Sequence, residues 1–211
     1  MNSCMAKVSD GLLGPLSGKI GPMVASSWKG IPYFKSAHKP RTTNVSDKEK
    51  ANREKFKQAQ AWLKPLLEFV RLGFKGYTKT VEGFSAAKSY LLKNALDGEG
   101  RIDPSKVKLS WGSLALPDNI SVERAGEKKL QFSWNYERGK GVADRDQVML
   151  MAYDIKNAKA NYTIAGEFRE AGTAMMDAPC DAGASCHVWL AFVAADRRSQ
   201  SESIYLGEIQ F

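Results

Sequence analysis

Apolar and polar residues change rhythm along the chain. From Ile102 onward they alternate at every second position over short stretches: 106–111, 119–124, 129–136, 146–154, 162–169, 186–195 and 203–210. Leu130, Phe132 and Trp134 form one alternating set, Val148, Leu150 and Ala152 a second, and Val188, Leu190 and Phe192 a third. Successive side chains of an extended chain point to opposite faces, so each set marks the core side of a strand. Pro117-Asp118, Gly126-Glu127, Gly139-Lys140-Gly141, Pro179 and Asp196-Arg197 supply turns between them. About seven short strands with this punctuation predict an antiparallel β-sandwich over 102–211.

Between 46 and 101 the apolar spacing becomes three and four. Phe56, Ala59, Leu63, Leu66, Leu67 and Val70 fall on one helical face. Ser46 followed by Glu49 is a capping box that starts this helix. Pro65 falls inside it and predicts a kink or a split, because its ring removes a backbone donor. A second helix is expected over 85–96, closed by Asp97-Gly98-Glu99-Gly100.

The first 45 residues follow neither rhythm. Gly11, Gly14, Gly18, Gly21 and Gly30, with Pro15, Pro22 and Pro32, exclude a helix. Residues 19–28 and 31–36 suit a β-hairpin turning at Lys29-Gly30, preceded by a flexible arm. Pro22 and Pro32 confine such strands to a sheet edge or irregular pairing. The class expected is therefore α+β: an N-terminal hairpin arm (1–45), a region of two to three helices (46–101) and a sandwich (102–211).

The 211 residues are 43% hydrophobic and 10% aromatic, an ordinary globular composition that excludes a disordered chain. No apolar run reaches the ~18 residues of a membrane span. The net charge is +8, unevenly placed: residues 1–110 carry 20 basic and 9 acidic side chains, residues 111–211 carry 11 and 14. A basic front and a mildly acidic back suit nucleic acid at one end, or copies stacked front to back. The first residues, Met1-Asn-Ser-Cys-Met-Ala-Lys, lack the apolar core of a secretory signal. The expectation is a chain made in the cytoplasm that leaves it, if at all, by lysis or a dedicated machine, for example as part of a virion.

Chemistry-bearing patterns are thin. The 3 cysteines, Cys4, Cys180 and Cys186, are odd in number, which argues against a complete disulfide framework, although Cys180 and Cys186 could pair across a short loop if their geometry allows it. With His38 and His187 they miss zinc-ligand spacing. Gly14-x-x-x-Gly18-Lys19 is one residue short of a phosphate-binding loop and lacks the following Ser or Thr. No serine occupies a Gly-x-Ser-x-Gly elbow, and no carboxylate spacing nominates an acid–base pair. The expectation is a non-enzymatic chain with no cofactor, no metal and no small-molecule substrate.

Two resemblances add to this. Gly11-x-x-Gly14-x-x-Ser17-Gly18-Lys19-x-Gly21, then Ser27-Trp28-Lys29-Gly30-x-x-Tyr33, resembles the signature of an uncharacterised bacterial family of about this size. The similarity runs through Phe74 and Phe84-x-x-Ala87-x-x-Tyr90 to Ser203-x-Tyr205-Leu206-Gly207, and implies a shared fold but no activity. Residues 129–211 resemble a fibronectin type III or immunoglobulin-like domain: Leu130-Gln-Phe-Ser-Trp134 looks like its second strand, Met149–Asp154 its third and His187–Val193 its long penultimate one.

The leading functional expectation is a self-assembling structural subunit of a filament, tail-like tube or virion. Its mechanism would be donation of residues 11–36 to a neighbouring copy, with Gly14, Gly18, Lys19, Gly21, Trp28, Lys29, Gly30 and Tyr33 at the contact. The alternative is nucleic-acid binding by Lys35, Lys39, Arg41, Lys48, Arg53 and Lys57, with Trp28, Tyr33, Phe34 and Trp62 as stacking platforms. A surface- or carbohydrate-binding module ranks third, on fold analogy alone.

Overall fold

The computed structural model describes residues 7–8, 16–28, 30–39, 44–97, 99–137 and 144–211. The chain forms two compact units, Met1–Ser46 and Asp47–Phe211.

The first unit is an antiparallel meander of β1 (Lys7–Val8), β2 (Leu16–Ile20), β3 (Met23–Trp28) and β4 (Ile31–Ser36), neighbours in chain order. The stretch expected as one strand, 19–28, is broken between β2 and β3 by the turn at Gly21-Pro22, where Gly21 takes φ +55°. Trp28 pairs with Ile31 at the far end, which leaves a two-residue turn.

The second unit starts with α1 (Asp47–Leu63), directly after Ser46. Pro65 sits in a 3₁₀ turn, Lys64–Leu66, that separates α1 from α2 (Leu67–Gly73), as proline without a backbone donor requires. After a loop comes α3 (Gly83–Asn94).

The remainder is a two-sheet sandwich. Its strands are β5 (Asp118–Arg124), β6 (Lys129–Asn135), β7 (Gln147–Asp154), β8 (Lys159–Thr163), β9 (Thr173–Asp177), β10 (Ser185–Val193) and β11 (Ile204–Gln210). One sheet has the order β5-β6-β9, the other β11-β10-β7-β8, and all pairs are antiparallel. This 3-plus-4 division, with the chain crossing between sheets, is the immunoglobulin-like arrangement expected from the sequence.

Leu130, Phe132 and Trp134 of β6 meet Val148, Leu150, Val188, Leu190 and Phe192 in the core between the sheets. The opposite face of β7 and β10 is buried as well. Met149, Met151, Tyr153, Trp189, Ala191 and Val193 pack under Ala59, Trp62, Leu63, Leu66, Phe69, Ala86 and Leu91 of the helices. The four-stranded sheet thus lies between a helical layer and a second sheet. Burial of both faces explains the unbroken apolar runs in β7 and β10.

Two expected strands differ. Residues 106–111 form no strand. A 3₁₀ turn covers Pro104–Lys106, and the backbone beyond it is satisfied individually: Leu109 N–H donates to Ser203 Oγ at 2.8 Å and Trp111 N–H to the Gly73 carbonyl at 2.8 Å. The strand expected at 162–169 is earlier, at Lys159–Thr163. Beyond it Gly166 N–H bonds to the Val148 carbonyl (2.9 Å), and the ladder partner of β6 is instead β9.

Candidate functional site

The N-terminal sheet is where the sequence concentrates unexplained chemistry, and its register sorts the side chains. Lys19, Val24 and Lys35 form one cross-strand row, Ser26 and Tyr33 a second, and Trp28 and Ile31 a third. Directly opposite residues share a face, so Lys19, Lys35, Tyr33, Trp28 and Ile31 stand together. The other face carries the row Ile20, Met23 and Ser36, the row Gly18, Ala25 and Phe34, and the pair Ser27 and Pro32.

Both faces present large apolar groups to solvent. Trp28 is 50% exposed, Ile31 62% and Phe34 56%, and Ile20, Met23 and Tyr33 are exposed too.

The edge of the sheet is equally specific. β4 ends the strand order. Ala37 N–H donates to the Pro22 carbonyl at 2.7 Å, which makes positions 24/35, 26/33 and 28/31 the hydrogen-bonded pairs by alternation. Phe34 and Ser36 therefore direct their backbone groups outward, while Pro32 has no N–H to offer. β2, β3 and β4 form their mutual ladder inside their own unit. The pairing supplies a formed sheet with an outer edge and two faces, in place of strands waiting to be donated.

Of the residues expected at a subunit contact, Lys19, Trp28 and Tyr33 share one face, with Gly18 on the other. Gly21 and Gly30 take positive φ at the two turns, +55° and +81°, a role in chain reversal that any contact would only add to. Gly14, Lys29 and Arg41 lie outside the described residues. Lys35 joins the Lys19 row, and Lys39 follows β4 in an exposed position. Lys48, Arg53 and Lys57 belong to α1 and do not form one stripe, because at about 100° per residue Lys48 and Lys57 fall on opposite sides. Arg53 bonds Glu49 (2.7 Å) and Lys57 lies 3.7 Å from Glu54, as on a solvated helix face. Trp62 is buried in the helix–sheet core and offers no platform.

Sequence reading missed Ile20, Met23 and Ile31 as surface groups. The signal was present: a two-residue turn at 29–30 fixes the β3–β4 register and with it which residues share a face.

Other groups with chemical potential sit in the second unit. Cys180 and Cys186 are free, buried thiols in hydrogen-bonding contact, and burial pushes both up from the ordinary thiol range. His187 Nδ1 is 2.8 Å from the Tyr205 hydroxyl, and burial holds the imidazole below its usual value. Among the described residues no group of three His, Cys, Asp or Glu could hold a metal ion. No described helix is long and apolar enough to cross a membrane.

These features define an α+β chain: an immunoglobulin-like sandwich roofed by helices, preceded by a separate apolar-faced sheet. The chain matches a family of unknown function, DUF6266, over residues 15–207, and belongs to it. No curated protein matches the chain. Among solved structures, the chain is similar to the fn3 domain of the human collagen alpha-1(XX) chain, with 14% identity and a TM-score of 0.35 over 46% of this chain and 85% of that one.

Proposed function

We propose that the protein is a structural subunit that assembles with copies of itself through its N-terminal sheet. The observation that carries this reading is the exposure of Ile20, Met23, Trp28, Ile31, Tyr33 and Phe34 on both faces of β2–β4. A small sheet needs a hydrophobic face covered, by a helix or another sheet, to be stable. A second copy supplies a matching apolar face by symmetry, and the outward backbone of Phe34 and Ser36 provides an edge for continuing the sheet. The basic front and the mildly acidic 111–211 region favour contact between copies.

The test is size-exclusion chromatography with light scattering and negative-stain microscopy on the full chain, beside a chain lacking residues 1–36. Assembly of the first and a monomeric second support the proposal; two monomers reject it.

A second reading is favoured by one observation: Lys19 and Lys35 stand on the same face as Trp28 and Tyr33. Cations beside exposed aromatic rings suit single-stranded nucleic acid. Gel-shift titration with single-stranded DNA and RNA at low and high salt separates the readings. Binding that weakens steeply with salt favours the second, and no shift at low salt removes it.

A further inference from the structure

α1 and α3 share one core, in which Ala59, Ala86 and Ala87 are buried, and Lys88 of α3 bonds Gln60 of α1. Between Asn52–Phe56 of α1 and the 85–97 stretch lies a groove of about 570 Å³. Its apolar lining comes from Phe56, Leu92 and Leu96, and its rim carries Lys55, Lys88 and Lys93. Phe56 is notable on a helix whose outer face is otherwise polar: it is 56% exposed, although the helix core lies one turn further on.

The cations are not equally committed. Lys88 donates to Gln60 Oε1 at 3.0 Å and rests over the Phe84 ring at 5.7 Å. Among the described residues no carboxylate pairs with Lys55 or Lys93. The acid at the groove mouth, Asp97, is already held by Arg101 Nε at 2.9 Å, which keeps its carboxyl below the usual range and its charge neutralised locally. Among the described residues, the groove therefore combines an apolar floor with two cations that pair with no carboxylate, and the one acid in its lining, Asp97, is bonded to Arg101. Its volume falls within the range of small-ligand sites.

We infer that this groove binds a free single-chain fatty carboxylate, the acyl chain against Phe56, Leu92 and Leu96 and the carboxylate between Lys55 and Lys93. An apolar occupant alone would leave the cations unused, and a small polar anion would leave the aromatic floor wet. Recognition is by point charges, so it tolerates head-group rotation but not loss of charge.

Isothermal titration of the full chain with decanoate, decan-1-ol and decyltrimethylammonium, each below its aggregation threshold, tests this. Decanoate binds in a one-to-one ratio, and the alcohol and the ammonium bind at least about tenfold more weakly. Lys55→Met and Lys93→Met each weaken decanoate by about fivefold, the effect of one partly exposed charge, while Lys93→Arg restores it. Phe56→Ser weakens all three probes. These side chains are on the surface, and circular dichroism of each variant confirms that it is folded.

Absent decanoate binding overturns the inference. So does equal affinity for the three probes, or a charge variant that binds like the parent. Flotation with phosphatidylglycerol vesicles, without binding of free decanoate, assigns the groove to a membrane surface and also overturns it. Binding of an acidic amphipathic peptide in place of decanoate does the same.

Discussion

The Tyr153 hydroxyl donates a 3.1 Å hydrogen bond to the Trp62 carbonyl, and the two rings meet edge to face with centroids 5.1 Å apart. Trp62 in turn meets Trp189 edge to face at 6.2 Å. One strand of the central sheet, its neighbour and the end of α1 are joined in this cluster. Helices and sandwich are one cooperative body, whose unfolding is expected to be a single transition over 47–211. Trp62→Ala removes about 3 to 5 kcal/mol, and Tyr153→Phe, which loses one hydrogen bond, about 1 kcal/mol. Thermal melts followed by far- and near-ultraviolet circular dichroism check this: the two signals shift together in each variant.

A methyl group on Gly112 would collide with the Gln200 carbonyl, and one on Gly73 with the Leu109 carbonyl. Both glycines lie where the 107–114 segment is threaded between a helix end and the 199–203 turn. Ser110 Oγ donates to the Ser201 carbonyl at 2.6 Å in the same place. Gly73→Ala and Gly112→Ala are each expected to cost about 3 kcal/mol by overpacking against backbone that has nowhere to move. Denaturant unfolding measures the loss. Gly126→Ala, where an added Cβ meets only Lys129 Cβ at 4.0 Å, serves as the control with little change.

This threaded segment also marks the limit of what was legible. β6, β7, β10 and β11 follow from alternation, and the Pro65 break follows from the missing proline donor. The 106–111 stretch alternates equally well, yet beyond Val107 its backbone is met by the Ser203 hydroxyl, the carbonyl of Gly73 at the end of α2 and the Gln200 side-chain amide, which donates to the Trp111 carbonyl, partners too far off in sequence for a local pattern to encode. β9 escaped because Thr173–Asp177 is short and Gly172, at φ +67°, reads as loop. The second buried face of β7 was hidden in plain residues: Met149, Met151 and Tyr153 fill the outward positions, and only the helices above them explain why. At the N-terminal sheet the residues were found, but their distribution over two faces needed the register.

His187 supplies a pH dependence. Burial holds its pKa below the ordinary 6.5 of a histidine, so between those two values the unfolded chain binds the extra proton. Its contribution to stability is complete above pH 6.5 and is lost as pH falls through the folded value. Melting temperatures from pH 7 down to pH 5 are expected to decline in the parent, and to decline less in His187→Gln.

Cys180 and Cys186 are buried, with thiols pushed up by desolvation, so little thiolate is present at neutral pH. Alkylation by iodoacetamide followed by peptide mapping is expected to leave both unmodified in the native chain and to modify both in guanidinium. Rapid native labelling of either would contradict the packing described.

The proposed assembly requires the exposed apolar faces of β2–β4 to be covered by another copy. Sedimentation velocity over a range of concentrations tests this on the parent chain and on a double variant, Ile31→Lys with Phe34→Lys, which places charge on both faces. The parent is expected to grow by mass action to dimers or larger species, and the variant to stay monomeric at every concentration. A parent chain that stays monomeric throughout, or a variant that assembles equally well, would contradict it.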